Sequence, residues 1–282
     1  MELLQPEDWQ EALEARAEHP GALPLWGGTD VMVDLNFGRA RPEAILDLTR
    51  VRELEEWEDR DDVLRVGAGV SYTRAIRELG EALPGLAAAS RTVGSPQIRN
   101  RGTIGGNLGS SSPAGDALPP LYASSAEVEL ESSARGTRRV PIGEFVTGPK
   151  RNILEPDELI AAFHVAPAGG PQQFSKVGTR NAMVIAVCSF ALALHPEERR
   201  VGTCIGSAGP TPIVAADAEA FANGMLDWDG GSMPSDGDLA RFGELVAAAA
   251  SPIDDVRGSA AYRRHALSVL ARRSLAWAWD ER

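Results

Sequence analysis

The sequence predicts an α+β fold divided into two or three compact units, and three observations carry that prediction. The chain has 282 residues, more than a single small hydrophobic core usually organises. Short strand candidates alternate irregularly with helical stretches through its first half. Finally, Pro167-Ala168-Gly169-Gly170-Pro171 is the clearest linker, and beyond it apolar extended segments give way to three helical patterns, a small antiparallel sheet capped by helices.

Composition narrows the functional classes. A hydrophobic fraction of 43% with 24% charged residues belongs to a folded globular chain rather than a disordered or membrane one. The longest apolar run, Ala182 to Leu194, falls short of the roughly 20 residues that span a bilayer. The start, Met1-Glu2-Leu3-Leu4-Gln5-Pro6, runs into an acidic helical pattern without a basic and apolar signal. No membrane span and a cytoplasmic location are therefore expected. A net charge of −12 argues against nucleic acid as a partner, because counterion release needs a basic face. Any anionic ligand must be gripped locally. Cys188 and Cys204 are the only cysteines; their apolar neighbours mark them as buried thiols rather than a disulfide, and two are too few to ligate an iron–sulfur cluster. His19, His164, His195 and His265 lack metal-ligand spacing, so no metal site is expected.

In chain order, Pro6 to Arg16 reads as a helix stopped by Pro20-Gly21, and Ala22 to Trp26 as a short strand. Val31 to Leu35 follows as helix or extended arm, and Ala44 to Leu48 as a strand, which makes a compact β-α-β-like unit of about the first fifty residues. Leu54 to Trp57 and Val63 to Val66 read as a hairpin. Tyr72, Ile76, Leu79 and Leu83 share one face of a helix ended by Pro84-Gly85, and are core positions. Asp116 to Tyr122 is a short helix, Glu127 to Glu131 and Arg138 to Val140 are paired strands, and Leu159 to Val165 is another. Past the linker, Phe174 to Arg180, Met183 to Leu194 and Arg200 to Gly206 lead to helices at about 214–222, 239–250 and 259–279. The last aligns Tyr262, Ala266, Val269, Leu270 and Arg273 along one side.

Two glycine-rich turns stand out. Gly27-Gly28-Thr29-Asp30 follows the Ala22 to Trp26 strand directly, and Arg101 to Asp116 holds five glycines, four hydroxyl residues and a proline. Glycine permits positive φ and close backbone approach, and successive amides in such a turn form a concave nest of partial positive charge. Each turn alone is equally the composition of a surface loop. Gly67-Ala68-Gly69 lacks the third glycine of a dinucleotide fingerprint, with Ser71-Tyr72 in its place.

Taken together, these motifs resemble the FAD-binding medium subunit of the molybdenum hydroxylases, the xanthine dehydrogenase and carbon monoxide dehydrogenase family. Leu25-Trp26-Gly27-Gly28-Thr29-Asp30-Val31 is similar to that family's first flavin loop; Thr103-Ile104-Gly105-Gly106-Asn107 and Ser112-Pro113-Ala114-Gly115-Asp116 are similar to its second. Lys176, Gly178, Arg180 and Ala182-Met183 resemble a third landmark, and Asp255-Val256-Arg257-Gly258-Ser259 with Tyr262-Arg263 also fits. The likeness covers essentially the whole chain. It implies a two-subdomain PCMH-type (vanillyl-alcohol oxidase-like) FAD-binding fold, with subdomains at residues 1–53 and 54–167, and an α+β C-terminal domain at 172–282.

FAD is the implied cofactor, its pyrophosphate on the amides of the two loops. Leu25, Trp26 and Val31 would flank Gly27, Gly28, Thr29 and Asp30, while Thr103, Gly106, Asn107 and Ser110 would supply amides and side chains. Asp116 would accept bonds from sugar hydroxyls, and Ile160 and Lys176 would lie near the flavin ring system, although an isolated lysine also suits an exposed surface. Trp26 is bulkier than the residue usual before this Gly-Gly, and stacks on the ligand or fills core. The implied role is to receive single electrons from the 2Fe-2S clusters of a small subunit and pass them to a soluble acceptor, substrate chemistry belonging to a molybdopterin large subunit of a heterotrimeric complex. No side chain of this chain is expected to act as acid, base or nucleophile. A stand-alone FAD oxidoreductase of the same fold and a non-enzymatic nucleotide-binding assembly module are the alternatives.

Overall fold

The computed structural model describes residues 1–282. The first unit contains β1 (Glu2–Leu4), α1 (Trp9–Glu18), β2 (Leu23–Leu25), α2 (Val31–Asn36) and β3 (Ala44–Asp47), its three strands parallel in the order β1-β3-β2. Asp8 starts α1 by accepting the Glu11 amide, the expected use of a short carboxylate at an N-cap. Val31 to Leu35, open between helix and extended arm in the sequence, is helical.

The second unit contains β4 (Trp57–Arg60), β5 (Val63–Gly67), α3 (Tyr72–Glu78), α4 (Pro84–Thr92), α5 (Pro96–Arg101), α6 (Ile104–Ser110), α7 (Leu118–Ala123), β6 (Glu127–Ser132), β7 (Gly136–Pro141), α8 (Ile142–Phe145), β8 (Val146–Gly148), β9 (Arg151–Asn152) and β10 (Leu159–Val165). Its antiparallel five-stranded sheet runs β4-β5-β10-β6-β7. Leu64, Val66, Val128, Leu130 and Phe163 turn one side of that sheet onto the helices. The third unit pairs β11 (Gln172–Val177), β12 (Cys188–His195) and β13 (Arg200–Gly206) antiparallel and packs them under α9 (Ala216–Met225), α10 (Asp236–Ala249) and α11 (Ala260–Asp280). Both cysteines are free and buried.

Four departures from the sequence reading have local causes. Leu54 begins no hairpin: residues Arg52–Glu55 form a 3-10 turn because the Leu54 side chain is buried in the first unit's core and its carbonyl receives the Gly69 amide at 2.7 Å. Pro84-Gly85 does not close a helix but opens α4, Pro84 occupying the first turn, where its missing N–H costs nothing. Half of Arg101 to Asp116 is helix rather than loop, because Thr103 caps α6 there. On α11 the buried side carries Arg263, Ala266, Leu267, Ala271, Ser274 and Leu275, whereas Tyr262 and Arg273 are exposed. A periodicity reading expects arginine outside, and here Arg263 is held inside by two hydrogen-bond partners.

Candidate cofactor site

A cavity of about 850 Å³ lies between the first and second units, its edge reaching the third. That volume falls in the roughly 300–1,000 Å³ range of cofactor pockets. Leu25, Trp26, Gly27, Gly28, Thr29, Asp30, Val31, Thr103, Gly106, Asn107, Ser110, Asp116 and Ile160 all line it. Lys176 does not line it but reaches Asp116, which does.

The first glycine turn is built by its contacts with the second. A Cβ on Gly27 would stand 2.0 Å from the Arg101 carbonyl oxygen, so only glycine lets the end of β2 rest on the backbone between α5 and α6. Gly28 adopts φ +71°, and the chain then enters α2 with Met32 donating to the Gly28 carbonyl. Gly27, Gly28, Thr29, Asp30 and Val31 donate no backbone hydrogen bond within the protein. Five successive residues of the cavity wall thus carry amides without a partner in the protein, and such a run of free amides can receive an anion.

The second stretch does something else. Ile104 and Gly105 donate to the carbonyls of Val70 and Ala68, Asn107 to the Thr103 carbonyl, each at 3.1 Å, and Gly106 donates to Thr103 Oγ1 at 2.9 Å. The amides of Ile104 to Asn107 are thus spent inside the fold, whereas those of Thr103, Ser112 and Asp116, also on the cavity wall, donate no hydrogen bond within the protein. Glycine serves packing instead: a Cβ on Gly105 would lie 2.4 Å from that of Ala68. Gly106 and Gly109 leave α6 bare toward the cavity, their nearest neighbours being Thr103 Oγ1 and Ile160 Cδ1. Ser110 donates to Asp30 Oδ2 at 2.9 Å, tying the two walls together.

Asp116 is 8% exposed. Its Oδ2 accepts Lys176 Nζ at 2.5 Å, and Lys176 also donates to the Thr92 carbonyl at 3.3 Å. The other oxygen, Oδ1, is buried with no partner. Burial pushes the Asp116 carboxyl above the usual carboxylate range against the opposing pull of Lys176. A buried carboxylate oxygen left unpaired is costly, and this one belongs to a residue of the cavity wall. Lys176 is itself buried as a side chain, which removes the surface-lysine alternative. Trp26 takes both of its open readings: its indole packs on the first unit's core and beside Gly69, and it lines the cavity.

Sequence reasoning passed over Gly94, Ser95 and Ile98 at the α4–α5 junction, Val184 and Ile185 after β11, and Arg16 on α1, all of which line the cavity; Met183, part of the third landmark, lines it too. Ser95-Pro96 did carry a readable signal, since serine before proline is a helix start, and Ser95 caps α5.

A cavity floored by free amides and closed by an orphan carboxylate oxygen fits a nucleotide cofactor carrying both a diphosphate and sugar hydroxyls. Comparison with known proteins gives that class its family. Residues 1–168 match the FAD binding domain in molybdopterin dehydrogenase, and residues 173–278 the CO dehydrogenase flavoprotein C-terminal domain. The chain is 31% identical over 274 residues to the xanthine dehydrogenase FAD-binding subunit of Escherichia coli, covering 93% of this chain and 90% of that one. It is 32% identical over 222 residues to the nicotinate dehydrogenase FAD-subunit of Eubacterium barkeri, covering 73% and 74%. A carbon monoxide dehydrogenase structure from Hydrogenophaga pseudoflava superposes with TM-score 0.90 at 25% identity, over 100% of this chain and 98% of that one. The chain belongs to the family of FAD-binding subunits of molybdenum-dependent dehydrogenases, and FAD is its cofactor. No helix is long and apolar enough to cross a membrane.

Proposed function

We propose that this chain holds FAD in the cavity between its first two units as the electron-transfer subunit of a cytoplasmic complex, beside a 2Fe-2S small subunit and a molybdopterin large subunit. When bound, FAD supplies the exchange between single electrons and electron pairs. The observation that carries this reading is the run of five unpartnered amides from Gly27 to Val31, which cradle the diphosphate while a chain of net charge −12 offers no other broad attraction for it. Charge-assisted bonds from preset amides are about twice as strong as neutral ones.

Asp116 Oδ1 accepts from a sugar hydroxyl, and Lys176 keeps that carboxylate oriented by occupying Oδ2. Thr103, Gly106, Asn107 and Ser110 form the opposite wall: Thr103 fixes α6, the bare Gly106 face admits the cofactor, and Asn107, its Oδ1 held by the Ala117 amide, presents its side-chain Nδ2. Ile160, beside Gly109, packs against the ring system, as do Leu25, Trp26 and Val31 on the other wall. The units are taken as 1–53, 54–167 and 172–282. A soluble acceptor takes the electrons on.

Gentle purification followed by FAD titration tests the reading. Visible flavin absorbance that bleaches on reduction, with about one FAD per chain, is the expected result; a protein that carries no flavin and takes up none refutes it. Co-expression with neighbouring iron–sulfur and molybdopterin subunits then tests the assembly, the expected outcome being one complex containing all three chains.

A further inference from the structure

The family's FAD-binding match ends at residue 168, yet the turn that carries Asp116 is gripped from the third unit. Ser112 to Gly115 forms a tight turn, with Gly115 donating to the Ser112 carbonyl at 2.9 Å and Ala114 to Ser112 Oγ at 3.3 Å. The Pro113 carbonyl at its crest receives the amide of Ser207 at 2.8 Å. Ser207 follows β13 directly and stands at φ +57°, a left-handed conformation that costs a non-glycine residue energy and persists only where its surroundings impose it.

Arg263 is what stands behind Ser207. It is 5% exposed, donates from Nη1 to the Ser207 carbonyl at 2.8 Å and from Nη2 to Asp255 Oδ1 at 2.5 Å. Asp255 Oδ1 in turn accepts the amides of Arg257 at 2.8 Å and Gly258 at 3.3 Å. A rigid turn therefore anchors the guanidinium, and the guanidinium anchors Ser207. The chain of contacts runs Asp255, Arg263, Ser207, Pro113, and ends on the turn that leads into Asp116.

We infer that Arg263 is a positioning residue for the cofactor: through the Ser207 backbone it fixes the Ser112–Gly115 turn and so the placement of Asp116 against FAD. The inference rests on the proposed FAD site. Arginine suits the task because its planar fork reaches two acceptors at once, whereas lysine offers a single point of charge. The grip is made by the Ser207 amide, so the Ser207 hydroxyl, which is buried without a partner, takes no part in it.

The test uses the full chain, with FAD as the probe. Arg263→Lys is expected to weaken FAD binding by about tenfold or more, the scale of one charge-assisted hydrogen bond, and to alter the visible circular dichroism of the bound flavin. Ser207→Ala is expected to leave both within about twofold of the parent, because the amide and its φ demand are unchanged. If Arg263→Lys fails to fold, Asp255→Asn, which removes only the anchoring charge, is read in the same way and is expected to weaken FAD binding. A folded Arg263→Lys or Asp255→Asn protein with parental FAD affinity and flavin dichroism overturns the inference, and so does a Ser207→Ala protein as impaired as Arg263→Lys. If the parent protein itself takes up no FAD, it is the proposed function that fails.

Discussion

At the scale of single residues, Gly106 and Asp116 are the positions where binding and folding separate. A Cβ on Gly106 meets only Thr103 Oγ1, at 3.0 Å, and otherwise projects toward the cavity. Gly106→Val is therefore expected to abolish flavin retention while changing stability by no more than about 1 kcal/mol, read by flavin content and by thermal unfolding of the same preparation. Asp116 behaves differently, since removing it strands a buried ammonium. Asp116→Ala should cost about 3–5 kcal/mol, and adding Lys176→Met should return much of that loss, because a buried pair is dearer to break than to replace. Chemical denaturation of the single and double variants checks this, and FAD titration should find both variants impaired. The two roles were not equally legible in the sequence. Asp116 and Lys176 were named, but their contact across 60 positions has no local signature, and neither does the orphan oxygen it leaves.

At the scale of elements, α6 shows why glycine in a sequence has two meanings. Its residues Ile104–Ser110 include three glycines, each unfavourable in a helix by about 1 kcal/mol against alanine, so propensity alone reads loop. The helix forms because Thr103 caps it and because Val70 and Ala68 accept its first amides. Thr103→Ala is expected to lose about 1 kcal/mol. Gly105→Ala is expected to lose about 1–3 kcal/mol through overlap with Ala68. Urea midpoints measure both. The strands β12 and β13 of the third unit and Leu159–Val165 were visible from their apolar residues. The helix α5 was not, since Pro96 to Arg101 has no buried face and hence no periodicity to detect. The free amides of Gly27 to Val31 were foreseen as part of a pair of equal loops; that the first loop leaves an unbroken run of them while Ile104 to Asn107 spend theirs emerges only from tertiary hydrogen bonding.

At the scale of the whole molecule, buried and half-buried ion pairs tie stability to pH. Arg138 holds the Glu158 carboxyl below its ordinary value of 4.5, and the Arg257 amide followed by Arg263 holds Asp255 below 3.8. On Glu129, burial opposes the charge, but Arg65 and His164 outweigh it and the net shift is downward. A carboxyl depressed in the folded state stabilises it above the unfolded pKa, and that contribution is lost as pH falls through the depressed value. The urea midpoint should therefore hold near neutrality and decline below about pH 4.5, more shallowly in Arg138→Met, whose Glu158 has lost its partner. The seam between Gly27 and Arg101 bears on another property of the whole molecule. Because that contact leaves no space for even a methyl group, any side chain at position 27 would have to push the two walls of the cavity apart. Widening that seam would open the cavity on the side opposite the rim where Met183 and Ile185 stand exposed, so Gly27→Ala is expected to speed the loss of bound FAD, read as flavin released on dilution.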